Sequence, residues 1–185
     1  MITNKSEIVL REIEKIAANE SLPIIGPKKG KVLARIIREV QPMHVLELGT
    51  LIGYSTILIG TNLRRDSFLI TLEIKAKHAR TAKRNIQRAE IFPVVEVIVG
   101  DAKEVIPQLK GPFDLIFIDA EKREYIDYLR LVEKKIHKGS LVVADNAVIF
   151  SEEVKDYLEY VRSSGKYRSK LILIDADGLE VSTKL

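Results

Sequence analysis

Apolar residues along the chain fall into two alternating patterns, a 3.6-residue period and short near-continuous runs. Ile8, Ile13, Ile16 and Ala17 share a helical face, and Leu22–Pro27, with two prolines and a glycine, ends it. Val32, Leu33, Ile36, Ile37 and Val40 predict a second helix, stopped by Pro42. A buried strand over Val45–Leu48 then runs into Gly49-Thr50-Leu51-Ile52-Gly53, with a helix expected from about Tyr54. Further strands are predicted at Phe68–Glu73, Val94–Val99, Asp114–Asp119 and Leu141–Asp145. Between them, Lys75–Ala89 reads as a helix with a basic outer face, a short helix follows Ala102, and Tyr125, Leu129, Val132 and Ile136 mark another. Val154, Leu158 and Val161 mark the last helix. Lys170–Ile174 and Leu179–Thr183 flank Asp175-Ala176-Asp177-Gly178, a hairpin signal because Asp-Gly readily takes positive φ.

Five strand–helix alternations predict an α/β, doubly wound sheet with helices on both faces. The run Asp114–Asp119 is apolar almost throughout, as expected of a strand covered on both sides. The closing hairpin adds two strands, one of which must run against the rest, so a mostly parallel seven-stranded sheet is expected. At 185 residues the chain suits a single domain, 1–185. In such sheets ligands bind beyond the carboxyl ends of the strands, near the point where strand order reverses.

Composition removes several chemistries. There is no cysteine, which excludes disulfide frameworks, thiolate metal sites and cysteine nucleophiles. His44, His78 and His137 lie too far apart for a histidine metal motif. No apolar run is long enough to span a membrane, and Met1–Glu12 carries too many charges for a signal peptide, so no membrane partner and a cytoplasmic location are expected. A net charge of +4 permits an acidic partner without demanding one, and the basic residues are scattered.

The strand ends carry the candidate chemistry. After the first strand the glycines are spaced G-x-x-x-G, unlike a dinucleotide loop, and Glu47 would repel a pyrophosphate while suiting an amino group. A plain tight turn is the alternative. Glu73 ends the second strand, where a carboxylate takes ribose hydroxyls or is simply a surface acid. Gly100-Asp101-Ala102 ends the third, placed for an adenine edge. The fourth ends at Asp119 and the fifth at Asp145-Asn146. If those strands are neighbours, their ends lie about 5 Å apart. Two carboxylates and an amide then form a hard oxygen site for Mg²⁺ or Ca²⁺, unless they only cap the following helices. Lys122, three residues after Asp119, can face that site, and a nearby dication would ease its use as a base.

These residues resemble the catechol O-methyltransferase and caffeoyl-CoA O-methyltransferase-like enzymes, from about Ile8 to the C-terminus. The strongest stretches are Gly26–Lys31, Val45–Ser55, Phe113–Tyr125, Val143–Asn146, Tyr157–Ser164 and Asp177–Glu180. The resemblance implies a Rossmann-like methyltransferase fold with S-adenosyl-L-methionine as cofactor. It implies that Glu47 meets the methionine amino group, with the backbone of Ile25 near that end. Ser55 would hold the methionine carboxylate and Glu73 the ribose, while Gly100, Asp101 and Ala102 would border the adenine. Gly49, Gly53 and Asp119 complete the cofactor contacts. Asp119, Asp145 and Asn146 would hold Mg²⁺ or another divalent ion, and Lys122 would deprotonate a hydroxyl acceptor. Three departures point to a pocket more open than one built for catechol. Glu121 stands where catechol enzymes carry an aromatic, Leu171 stands where they place a late glutamate, and the N-terminal segment is short, with one helix where more are usual.

The resemblance thus implies methyl transfer to a hydroxyl oxygen of a small aromatic or related molecule. RNA modified at a hydroxylated base is the competing acceptor, favoured by the basic pI of 9.2 and opposed by the scattered charges. A non-catalytic nucleotide-binding protein is the rival from another class, and a homodimer stays open as an assembly.

Overall fold

The structure is a computed structural model that describes residues 4–185; Met1–Thr3, part of the segment read above as no leader, lie outside the described residues. Two helices, α1 (Asn4–Glu20) and α2 (Gly26–Val40), precede the first strand. The alternation then runs β1 (His44–Leu48), α3 (Tyr54–Asn62), β2 (Phe68–Glu73), α4 (Ala76–Ala89), β3 (Val94–Val99), α5 (Ala102–Val105), β4 (Phe113–Ile118), α6 (Tyr125–Val132) and β5 (Ile136–Ala144). The chain closes with α7 (Lys155–Ser163), β6 (Tyr167–Ile174) and β7 (Asp177–Lys184).

The seven strands form one sheet in the order β3-β2-β1-β4-β5-β7-β6. β1 to β5 pair in parallel, and β7 inserts antiparallel between β5 and β6. Strand order reverses between β1 and β4, which opens a crevice at their carboxyl ends. Alternation along β1 divides the core. Leu46 and Leu48 pack with Ile116, Ile118, Tyr125, Leu129 and Tyr157 on the α5–α7 side. Val45 packs with Val9, Ile13, Leu33, Ile37, Ile57, Leu115 and Phe117 on the α1–α4 side. Period-2 geometry therefore turns Glu47 to the same side as Val45. Among the described residues no helix is long and apolar enough to cross a membrane.

Two local expectations are corrected. Ile136 shares a helical spacing with Val132, yet it begins β5 and pairs with Phe113 while 7% exposed. Burial against the neighbouring strand outweighs the local period. The hairpin turn is also two residues shorter than expected. Ile174 pairs with Asp177 and Leu173 with Gly178, so Asp175-Ala176 alone make the turn, with φ 56° at Asp175. Gly178 is a strand residue, needed because a Cβ there would lie 2.7 Å from the Ile172 carbonyl oxygen. Moving the turn places Asp177 at the head of β7, beside the end of β5.

Candidate functional site

A cavity of about 780 Å³ lies at the carboxyl ends of the parallel strands, within the size range of small-molecule and cofactor sites. Its first wall comes from β1 and the loop after it. Gly49 has φ 102°, and a Cβ there would lie 2.1 Å from the Asp119 carbonyl oxygen. Only glycine lets the exits of β1 and β4 lie so close together. Gly53 serves packing: with φ 91°, its Cβ position would lie 3.3 Å from Ala82 Cα, which seats α3 against α4. It does not line the cavity, unlike Gly49, Thr50, Leu51, Tyr54 and Ser55.

Glu47 is fully buried and does not line the cavity either. Its Oε2 accepts from the Thr56 hydroxyl, and Oε1 has no hydrogen-bond partner among the described residues. Burial pushes this carboxyl up to about 7, partly opposed by the nearby hydroxyls of Ser55, Thr56 and Thr71. A buried carboxylate oxygen with an unused lone pair suits an incoming cationic donor.

Glu73, at the end of β2, lines the cavity and accepts from the backbone N–H groups of Leu51 at 2.8 Å and Lys75 at 2.9 Å. These two bonds fix the carboxylate, and each oxygen keeps a further lone pair for a hydroxyl. Gly100, Asp101 and Ala102 line the same wall, and Asp101 also caps α5 by accepting from the Lys103 N–H at 2.8 Å. Ile25, immediately before α2, also lines the cavity.

The other end of the cavity is charged. Asp119 follows β4, and its Oδ1 accepts from Lys122 Nζ at 2.7 Å. Lys122 also donates to the Tyr125 hydroxyl at 2.9 Å. Asp145 follows β5 and is 2% exposed. Burial and the negative charge of Asp119 raise its carboxyl above the ordinary range, against the pull of Lys29. Asn146 has φ 61°, a left-handed conformation that asparagine tolerates better than most residues. Its amide donates to Asp177 Oδ2 at 2.9 Å. Strand pairing thus brings Asp119, Asp145, Asn146 and Lys122 to one cavity, with Glu73 and Gly100–Ala102 at its other end.

This donor set fits a divalent ion. Two mutually repelling carboxylates relieve their strain by sharing a cation. Among the described residues no three acidic or histidine side chains converge as a metal site, so the third protein donor would be the Asn146 amide oxygen.

Sequence reasoning missed three residues at this end. Lys29, from the second turn of α2, donates to Asp145 Oδ1 at 2.6 Å and to Asp177 Oδ2 at 2.8 Å. Asp177 in turn accepts from the Val148 and Ile149 N–H groups, each at 3.2 Å. Burial opposes ionisation of Asp177, but Lys29 and the backbone N–H groups outweigh it and hold its carboxyl down to about 2. Phe150 lines the cavity and sets its ring centroid 6.0 Å from Lys122 Nζ. The strong likeness over Gly26–Lys31 and Asp177–Glu180 was the available signal for Lys29 and Asp177; nothing in the periodicity marked Phe150. Leu171 does not line the cavity.

The family model described as O-methyltransferase matches residues 2–177. A catechol O-methyltransferase of Niastella koreensis is 42% identical over 128 residues, covering 67% of this chain and 58% of the relative. The chain therefore spans under two thirds of the length of that curated protein. Among solved structures, the O-methyltransferase of Bacillus cereus, in complex with SAH, superposes with a TM-score of 0.86 at 28% identity, covering 96% of this chain and 90% of the other. The O-methyltransferase TomG of Streptomyces achromogenes, in complex with SAM and involved in tomaymycin synthesis, gives 0.87 at 26% identity, with coverages of 95% and 89%.

Proposed function

The chain belongs to the O-methyltransferase family, and from that premise we propose that it transfers the methyl group of S-adenosyl-L-methionine to a hydroxyl oxygen of a small aromatic acceptor, assisted by a divalent metal ion. One observation carries the proposal: Glu73 and Gly100–Ala102 share a single cavity with Asp119, Asp145, Asn146 and Lys122. The catechol O-methyltransferase relative and the SAH- and SAM-bound neighbours support it from outside.

Glu73 would accept both ribose hydroxyls, using the lone pairs left free by Leu51 and Lys75. Gly100, Asp101 and Ala102 would border the adenine. Ser55 would meet the methionine carboxylate and the backbone of Ile25 the amino-group end, with Asp119 and Gly49 beside them. Glu47, buried beneath Ser55 and Thr56, would act on the amino group from behind the cavity wall. Gly53 would contribute by seating α3 rather than by contact. When bound, S-adenosyl-L-methionine would supply an electrophilic methyl group, and Asp119, Asp145 and Asn146 would hold a divalent ion whose charge would lower the acceptor's pKa.

Lys122, in its neutral amine form, would take the acceptor's hydroxyl proton on the lone pair of Nζ, held in place by Asp119 and Tyr125. Fixing nucleophile and methyl group in line removes orientational entropy from the barrier, a large share of the acceleration in such transfers. Phe150 would pack its ring against an aromatic acceptor, offsetting the missing aromatic at Glu121. A second hollow is lined by Glu121, Glu124 and Glu153 together with Lys122 and Arg123, and Glu124 is paired with Lys103. Its acids and bases offset each other, so a polyanion would gain no net attraction there, which favours a small acceptor over RNA.

The deciding test is methyl transfer from labelled S-adenosyl-L-methionine to catechols, caffeoyl-type phenols and bulk tRNA, each with Mg²⁺ and with EDTA. Metal-dependent labelling of a phenol is expected. Labelling of tRNA alone would overturn the acceptor class, and binding of NADH in place of S-adenosyl-L-methionine would overturn the cofactor.

A further inference from the structure

Asp145 is the most buried acid at the charged end of the cavity, yet it already has a cation. Lys29 reaches it from α2, 116 residues away in sequence, and its side chain is 14% exposed. The same ammonium bonds Asp177, which holds the Asn146 amide and the N–H groups of Val148 and Ile149. Lys29 therefore ties α2 to the end of β5, the head of β7 and the turn that carries Asn146. Next to α2's hold on Asp177, Lys28 bonds Asp175 at the hairpin turn, an exposed pair that contributes little by itself. The buried Lys29 contacts are different, since two carboxylates left in that position without a counter-charge would repel each other and lose solvation.

Lys29 and Lys122 face Asp119, Asp145 and Asp177, so the cluster carries one net negative charge. Among these contacts Lys29 engages Oδ1 of Asp145. A divalent ion taking the same carboxylate would place two cations on one anion, and their mutual repulsion weakens the binding of each.

We propose that Lys29 is a built-in counter-cation of the metal site: it holds Asp145 and the Asn146 turn in ligating position before any ion arrives, and it lowers the ion's affinity by sharing Asp145. This rests on the metal reading of Asp119, Asp145 and Asn146 given above. Lys29 is a positioning residue, acting through Asp145 and Asp177. Its consequence is a site that is formed without metal and exchanges it readily.

The test is Mn²⁺ binding, followed by calorimetry and by the Mn²⁺ paramagnetic resonance signal, in the full chain without cofactor. Wild type, Lys29→Met, Lys29→Gln and Lys29→Arg are compared, with thermal melts in EDTA and in excess Mg²⁺. Lys29→Met removes the charge and keeps the apolar stem; Lys29→Gln does so with a donor retained, and serves if the methionine variant fails to fold. Both neutral variants are expected to bind Mn²⁺ at least tenfold more tightly, to melt lower in EDTA, and to gain more from Mg²⁺ than wild type. Lys29→Arg is expected to stay within about threefold of wild type. A purely structural lysine would give weaker Mn²⁺ binding on its removal, so unchanged or weakened binding in the neutral variants overturns the proposal while leaving the metal site standing. Absence of Mn²⁺ binding in all four proteins overturns both.

Discussion

Lys122 Nζ stands 2.7 Å from Asp119 Oδ1, across one turn from the end of β4, and Tyr125 holds the same nitrogen at 2.9 Å. A lysine nitrogen fixed at two points on the cavity wall is positioned to accept one proton when it is in its neutral amine form. Replacing Lys122 by Ala is expected to lower kcat by roughly 10²–10⁴-fold. Cofactor affinity, measured by calorimetry, should stay within a few-fold of wild type, because Glu73 and Gly100–Ala102 lie at the other end of the cavity. Unchanged turnover would show that the acceptor loses its proton without Lys122.

Removing metal should stop transfer while sparing the cofactor. Asp119, Asp145 and Asn146 offer only hard oxygen donors, so chelation with EDTA is expected to abolish turnover and Mg²⁺ to restore it. Asp145→Ala should behave as the chelated enzyme does even in excess Mg²⁺. Full activity in EDTA would sink the metal assignment.

Glu47 predicts a pH dependence of stability. Its carboxyl is raised by burial from an ordinary 4.5 to about 7, so the folded state retains a proton that the unfolded chain has released. Stability from the neutral form is complete below about 4.5 and is lost as pH climbs to about 7. At about 1.36 kcal/mol per pH unit the loss is on the order of 3 kcal/mol. Glu47→Gln, which is neutral at every pH, should flatten that slope. Its denaturation midpoint should match wild type near pH 4.5 and exceed it at pH 8. Equal midpoints at pH 8 would mean that Glu47 ionises there without cost.

Phe150 is expected to act on the acceptor alone. An aromatic contact contributes about 0.5–1.5 kcal/mol beyond burial. Phe150→Ala should therefore raise the acceptor KM by roughly 2–10-fold and leave the KM for S-adenosyl-L-methionine unchanged. Equal effects on both would place the ring at the cofactor instead.

Local chemistry determined most of the architecture. Short apolar runs alternating with amphipathic stretches permit little except a doubly wound sheet, and the acids at the ends of β1, β2, β4 and β5 marked one edge of it in advance. The same patterns were blind wherever a residue's partner lay far along the chain. Ile136 fits a helix by spacing and becomes a strand because Phe113 lies beside it. Asp177 looks like a turn residue until the β6–β7 register moves the turn to Asp175-Ala176 and turns its carboxylate toward Lys29 and Asn146. Lys29 reads as one more surface lysine in a basic helix, since its partners are 116 and 148 residues away. Glu47 was legible as an acid at the right strand end, but only the packing of Thr56 and Ser55 over it removed it from the cavity wall. Periodicity records which face of an element is buried; which charge meets which is decided only when the sheet closes and long-range pairs share one low-dielectric space.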